Sequence, residues 1–157
     1  MKTITGEEPI ILEQFNGKKL EGIEYIHPFE KEISVYAELK KKHPKVHTVI
    51  LSKEFVDTTA GTGLVHSAPG CGPEDQEACK PYNIPPLNPL SEDGFFPASM
   101  SQFKGLRAKA DDPAFIEALE RAGALLKKMK VEHEYPHCWR CKNLVIFRIT
   151  HQWFFKV

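Results

Sequence analysis

The chain has 157 residues, with 21 Lys plus Arg against 21 Asp plus Glu, so its formal net charge is zero. That length suits one domain able to bury roughly 70% of its unfolded surface, and the neutral total gives no sign of strong non-specific attraction to nucleic acid, while leaving room for a local basic groove. No apolar run approaches the ~20 residues of a membrane span, the first residues lack the apolar core of a signal peptide, and four cysteines fit a reducing, cytoplasmic compartment better than a disulfide scaffold.

The run Pro9–Phe15, rich in Ile and Leu, predicts a strand. Asn16-Gly17 is a turn signal, and Lys18–Tyr25 is expected to be extended again. Lys31–Lys42 predicts a helix with Val35, Tyr36 and Leu39 on one side, stopped by His43-Pro44. Its Lys40–Lys42 end reads as a solvated terminus rather than a nucleic-acid patch. Val46–Leu51 is apolar and β-branched, as a strand would be. A second helix, Pro113–Ala122, takes Asp112 as N-cap, Pro113 at the first helical position and Gly123 at its C-terminal cap. Met129, Val131, His133 and Tyr135 alternate with charged residues, which predicts a half-buried strand. His133 is then a packed residue rather than a catalytic one. Leu144–Arg148 and Trp153–Val157 are further strand candidates. Many short strands with few helices predict a mainly β fold, a β-barrel with peripheral helices.

The chemistry concentrates between Gly61 and Asp75, which reads Gly-Thr-Gly-Leu-Val-His-Ser-Ala-Pro-Gly-Cys-Gly-Pro-Glu-Asp. Leu64-Val65 is expected to be a short buried strand ending at His66. Ala68-Pro69-Gly70 breaks it, and Gly72-Pro73-Glu74-Asp75 reads as the start of a helix kept short by Pro81. One imidazole and one carboxylate are thus joined by a glycine-rich turn. The bland alternative is a hydrogen-bonded core histidine and an acid that serves only the helix dipole.

Gly61–Asp75 resembles the central motif of the editing domain inserted in the isoleucyl-tRNA synthetase family. The family pattern is Gly-Thr-Gly, two apolar residues, His, then Ala-Pro-Gly-x-Gly-x-x-Asp. The resemblance extends over Phe15–Gly22, Tyr82–Pro89, Asp93-Gly94, Phe103–Leu106, the Tyr135–Cys141 run with its His-Cys-Trp-Arg-Cys, Ile146–Arg148 and Gln152–Phe154. It implies a barrel of the valyl/isoleucyl/leucyl-tRNA synthetase editing-domain type. Residues 1–134 would be the editing portion, and residues 135–157 a Cys-x-x-Cys linker returning toward the catalytic domain. The implied activity is hydrolysis of valine wrongly attached to tRNA(Ile), because a pocket that accepts isoleucine rejects one missing methylene only weakly.

On that resemblance Asp75 holds the substrate's α-ammonium group and His66 gates side-chain size. Thr58, Thr59, Gly61, Thr62, Gly63, Gly70 and Gly72 line the substrate pocket. The implied partners are tRNA(Ile) carrying valine and the rest of the synthetase, with no membrane. Editing is expected to need no cofactor; ATP and magnesium belong to the full-length enzyme. Cys71 and Gln76 depart from the family's usual His or Phe and Tyr. The family's threonine-rich segment falls outside the matching region. The chain is therefore expected to supply one wall of the pocket, to be weak or inactive alone, and to self-associate through unpaired strand edges.

Cys138-x-x-Cys141 is half of a zinc site by spacing, and a complete site would need His133, His137 or a partner molecule. Two rival functions are open. Cys71, just before a helix start, could form a cysteine hydrolase with His66. Alternatively, Lys127–Lys130 and the Cys-x-x-Cys region could make a nucleic-acid-binding or structural fragment without catalysis.

Overall fold

Both ends of the predicted Pro113–Ala122 helix are visible in the computed structural model, which describes residues 6, 8, 10–58, 62–130, 132 and 134–157. Among these residues the α-helices are α1 (Ser34–Lys42), α2 (Pro73–Cys79) and α3 (Asp112–Arg121). Short 3-10 turns lie at Gly17–Leu20, Lys80–Tyr82 and Ala98–Phe103. In α3 the proline sits in the first turn, where its missing N–H costs nothing. The start is shifted by one residue from expectation. Asp112 is already helical, and the capping position falls to Asp111, whose Oδ2 accepts the Arg107 N–H at 2.7 Å instead of capping the helix. At the other end Ala124 N–H donates to the Leu119 carbonyl at 2.9 Å and Gly123 N–H to that of Glu120 at 3.0 Å. With Gly123 at φ +65° this is a Schellman motif, which needs a residue tolerant of the left-handed region.

The apolar stripe of α3 makes the core. Ala118 is buried with Phe29, Ile33, Met100 and Phe103, and Phe115 and Leu119 pack against them. Phe29 meets Phe103 edge-on, with ring centroids 5.0 Å apart, and Phe103 and Phe96 both reach Phe115 at 5.1 and 5.2 Å. Such offset pairs add to simple burial. Val35 and Tyr36 bring α1 onto the same cluster. Its basic end is partly anchored, because Lys40 Nζ donates to the carbonyls of Pro44 and Val46 at 3.2 and 2.9 Å.

The β-barrel expectation is overturned. The described residues contain no strand, only isolated antiparallel bridges at Glu24–Thr48, Phe95–Arg107 and His137–Leu144. The fold is irregular chain with helices. The reason is visible at Val46–Leu51. His47 takes φ +57°, which turns the run out of extended geometry after one bridge. Pairing with 22–25 then stops at Gly22 N–H to Val49 O, Tyr25 N–H to His47 O and Val49 N–H to Ile23 O. Gly17–Leu20 tightens into a 3-10 turn because the Asn16 side chain accepts the Lys18 N–H, so Lys18–Tyr25 is not extended throughout. The described residues of the alternating run from Lys128 and of the segments Leu144–Arg148 and Trp153–Val157 form no strand, Leu144 making a single bridge to His137; Val131 and His133 lie outside the described residues, as does Pro9.

Large apolar side chains remain in solvent. Ile10, Ile11 and Leu12 are exposed, as are Phe154 and Phe155. Trp139 and Trp153, the two tryptophans, are 76% and 94% exposed. No described helix is long and apolar enough to cross a membrane.

Candidate functional site

Three short contacts shape the turn between His66 and Asp75. Cys71 N–H donates to the Ala68 carbonyl at 2.9 Å, and Leu87 N–H to that of Pro69 at 2.9 Å. The Asn88 carboxamide donates to the Gly70 carbonyl at 2.8 Å. Gly70 is buried at φ +104°, and a Cβ there would lie 3.0 Å from the Leu87 carbonyl oxygen and 3.1 Å from Ile149 Cδ1. Only glycine meets both the angle and the close approach.

Beyond the turn, Gly72 leads into α2, whose first turn carries Glu74 and Asp75. Asp75 is half-buried, and the Ser67 hydroxyl donates to its Oδ1 at 3.1 Å. The same hydroxyl lies 3.5 Å from the buried Cys79 sulfur. Ser67 therefore fixes one carboxylate oxygen and leaves Oδ2 toward Gly72, where a Cβ would approach it to 3.3 Å. Ser67 was not singled out from sequence, although its place next to His66 was a signal for it.

His66 is exposed, and so are Leu64 and Val65, at 59% and 67%. This corrects the expectation of a buried strand before the histidine. A positive charge on His66 opposes protonation of two histidines that the sequence did not flag. His27 is pushed down to about 4 by burial, then by the neighbouring His47 and His66, with Glu30 opposing. His27 and His47 stack with centroids 5.2 Å apart, and His27 lies 4.0 Å from the Tyr36 ring. The buried His47 holds Nδ1 3.2 Å from Glu30 Oε2, an ion-pair distance without hydrogen-bond geometry. Burial lowers His47 and Glu30 works against it.

The other predicted lining residues scatter around this turn. Thr58 brings Cγ2 to 3.8 Å from the position of a Cβ on Gly63, which has φ +74°. The Thr62 hydroxyl is used locally, donating to Leu64 O and accepting from Leu64 N–H. Thr59 and Gly61 lie outside the described residues. The cysteine-hydrolase reading meets the wrong electrostatics. Partial burial pushes the Cys71 thiol up and the Asp75 carboxylate pushes it further, so the thiolate is disfavoured.

Alignment with known proteins gives this arrangement a context. No family model matches the chain. The isoleucine–tRNA ligase of Pyrococcus furiosus is 45% identical over 147 residues, covering 94% of this chain and 14% of the ligase. That of Methanocaldococcus jannaschii is 44% identical over 150 residues with the same coverage. The Aquifex aeolicus ligase is 40% identical over 154 residues, covering 98% of this chain and 16% of the ligase. The chain is homologous to one segment of the isoleucine–tRNA ligases. It spans about one seventh of the length of the archaeal relatives, given their 14% coverage.

The homologous region also holds the Cys-x-x-Cys loop. Cys138 N–H donates to Asn143 O and Lys142 N–H to Cys138 O, both at 2.8 Å, closing a tight loop under the His137–Leu144 bridge. Backbone N–H groups of Cys141 and Arg140 lower the Cys138 thiol. His137 Nδ1 donates to the Tyr135 carbonyl at 2.8 Å. The two thiols amount to half of a tetrahedral zinc set. No group of three or more His, Cys, Asp or Glu able to hold a metal occurs among the described residues, and His133 lies outside them. The pair does not fit a closed zinc site by itself.

Proposed function

We propose that this segment carries one wall of an editing site that hydrolyses the ester between valine and tRNA(Ile). The observation that carries the reading is the Ser67–Asp75 hydrogen bond within the homologous motif. It fixes a half-buried carboxylate with one oxygen free for the α-ammonium group of the aminoacyl ester. A charge-assisted hydrogen bond there orients the amino acid. His66, at the rim of the same turn, limits side-chain size, so valine enters and isoleucine does not. A positioned water, aided by the terminal ribose hydroxyls, suffices to cleave the activated ester. No metal or nucleotide enters this step. In this reading Thr58, Gly63 and the turn Gly70–Gly72 line the pocket, residues 1–134 form the editing portion, and residues 135–157 lead back toward the catalytic domain. The partners are valine-charged tRNA(Ile) and the remainder of the ligase.

The test is Asp75→Ala in an isoleucine–tRNA ligase carrying this segment, read as deacylation of valyl-tRNA(Ile). Desolvated charge pairs of this kind are worth ~2–5 kcal/mol, so the rate should fall at least ~30-fold. An unchanged rate refutes the assignment.

A further inference from the structure

Asn88 lies outside the motif, yet it uses all three hydrogen-bonding groups described for it. Its Oδ1 accepts the Leu90 N–H at 3.2 Å, which fixes the rotation of the carboxamide. Its Nδ2 then donates in two directions, to the Gly70 carbonyl at 2.8 Å and to the Phe147 carbonyl at 2.9 Å. An asparagine amide has two donors and one carbonyl acceptor, so this geometry occupies both N–H groups. Around it the two segments touch again, because the Ile149 side chain seats on Gly70, where only the absence of a Cβ admits it. Leu87, next to Asn88, adds its own amide bond to Pro69. Three stretches distant in sequence, 69–71, 87–90 and 147–149, meet at one carboxamide.

We propose that Asn88 is a positioning residue for the His66–Asp75 site, and that the segment 147–149 acts on the site through it. The inference rests on the editing function proposed above. Ser67 and Asp75 flank the turn whose central carbonyl Asn88 holds, so a shift of Phe147 is passed to that turn through a single planar group. A displacement of ~1 Å at a reacting centre costs ~100-fold in rate. Asn88 itself touches neither His66 nor Asp75 in this scheme; its contribution is to hold the turn in register.

Asn88→Asp tests this. The side chain keeps its size, loses both donors, and sets a carboxylate oxygen against two carbonyls. Asn88→Ala is the second variant should the aspartate prevent folding. In the 157-residue chain, amide hydrogen exchange should accelerate about tenfold at Cys71 and Leu87, the equivalent of one lost hydrogen bond. Ile33 and Ala124, bonded to Phe29 and Leu119 at the core, should not change. Uniform acceleration, or none at Cys71 and Leu87, overturns the proposal. In an isoleucine–tRNA ligase carrying this segment, Asn88→Asp should lower kcat for valyl-tRNA(Ile) deacylation at least ~10-fold with KM nearly constant, as a loss confined to the transition state does. An unaltered kcat overturns it. Absence of deacylation in the unsubstituted ligase overturns the editing function instead, and Asn88 is then judged on hydrogen exchange alone.

Discussion

His27 Nδ1 accepts a hydrogen bond from the Phe29 amide at 3.2 Å, so the ring nitrogen that would take up a proton is occupied by a donor. Phe29 is a core residue, and its carbonyl in turn accepts the Ile33 amide at 2.9 Å. Protonating His27 therefore breaks a contact at the edge of the core. The folded His27 sits at about 4 against an ordinary 6.5, so the unfolded chain binds more protons between these values. Stability from this group is complete above pH 6.5 and is lost as pH falls toward 4. Burial of His47 acts in the same direction. His27 is only partly buried, so after allowance for solvent screening the loss is ~1–2 kcal/mol. Urea unfolding followed by circular dichroism at pH 7 and pH 4.5 should show it. His27→Gln should lower stability at pH 7 and flatten the pH dependence. An equally steep dependence in the variant would place the effect elsewhere.

Gly70 and Gly105 make a controlled pair. Both have positive φ, +104° and +79°, but a Cβ on Gly105 meets nothing within 4 Å. Gly105→Ala should cost only the backbone penalty of ~1–2 kcal/mol. Gly70→Ala adds collision with the Leu87 carbonyl and Ile149, so it should cost at least ~1 kcal/mol more, as overpacking does. Equal urea midpoints for the two variants would mean that the turn yields freely.

His66→Ala separates a size gate from a surface histidine. The ring is exposed, so its removal should leave the unfolding free energy from urea titration within ~0.5 kcal/mol of the parent chain. In the ligase, it should raise the ratio of isoleucyl- to valyl-tRNA(Ile) deacylation. One methylene of pocket selectivity is worth ~1–3 kcal/mol, so loss of the gate should move that ratio by ~10-fold or more. A ratio equal to the parent's would leave His66 without a role in selection.

The helices were legible because their signals are local. Pro113 and Gly123 mark the ends of α3 within a residue, and His43-Pro44 ends α1. The strands were misread because alternation specifies faces and not partners. The described residues between Lys128 and Tyr135 alternate without forming a strand, and in Val46–Leu51 the left-handed His47 interrupts the extended run beside its one bridge. The motif from Gly61 to Asp75 was readable as a turn carrying an imidazole and a carboxylate. Its supports were not. Asn88 reaches Phe147 across 59 positions, and His27 meets His47 across a stretch that includes α1. Spacing along a chain carries no information about such meetings. Only Ser67, eight positions from Asp75, lay close enough to be suspected.

The placement of the two tryptophans decides what light can report. Both indoles stand in water, so tryptophan fluorescence is blind to the collapse of the Phe29–Phe103–Phe115 cluster. The phenylalanine rings are optically quiet, and the cluster's melting has to be followed through the backbone or through Tyr36 at its edge. The same placement makes Trp153 a sentinel. Whatever surface comes to lie over residues 153–155 will shift its emission to the blue while leaving the backbone spectrum of the three helices unaltered.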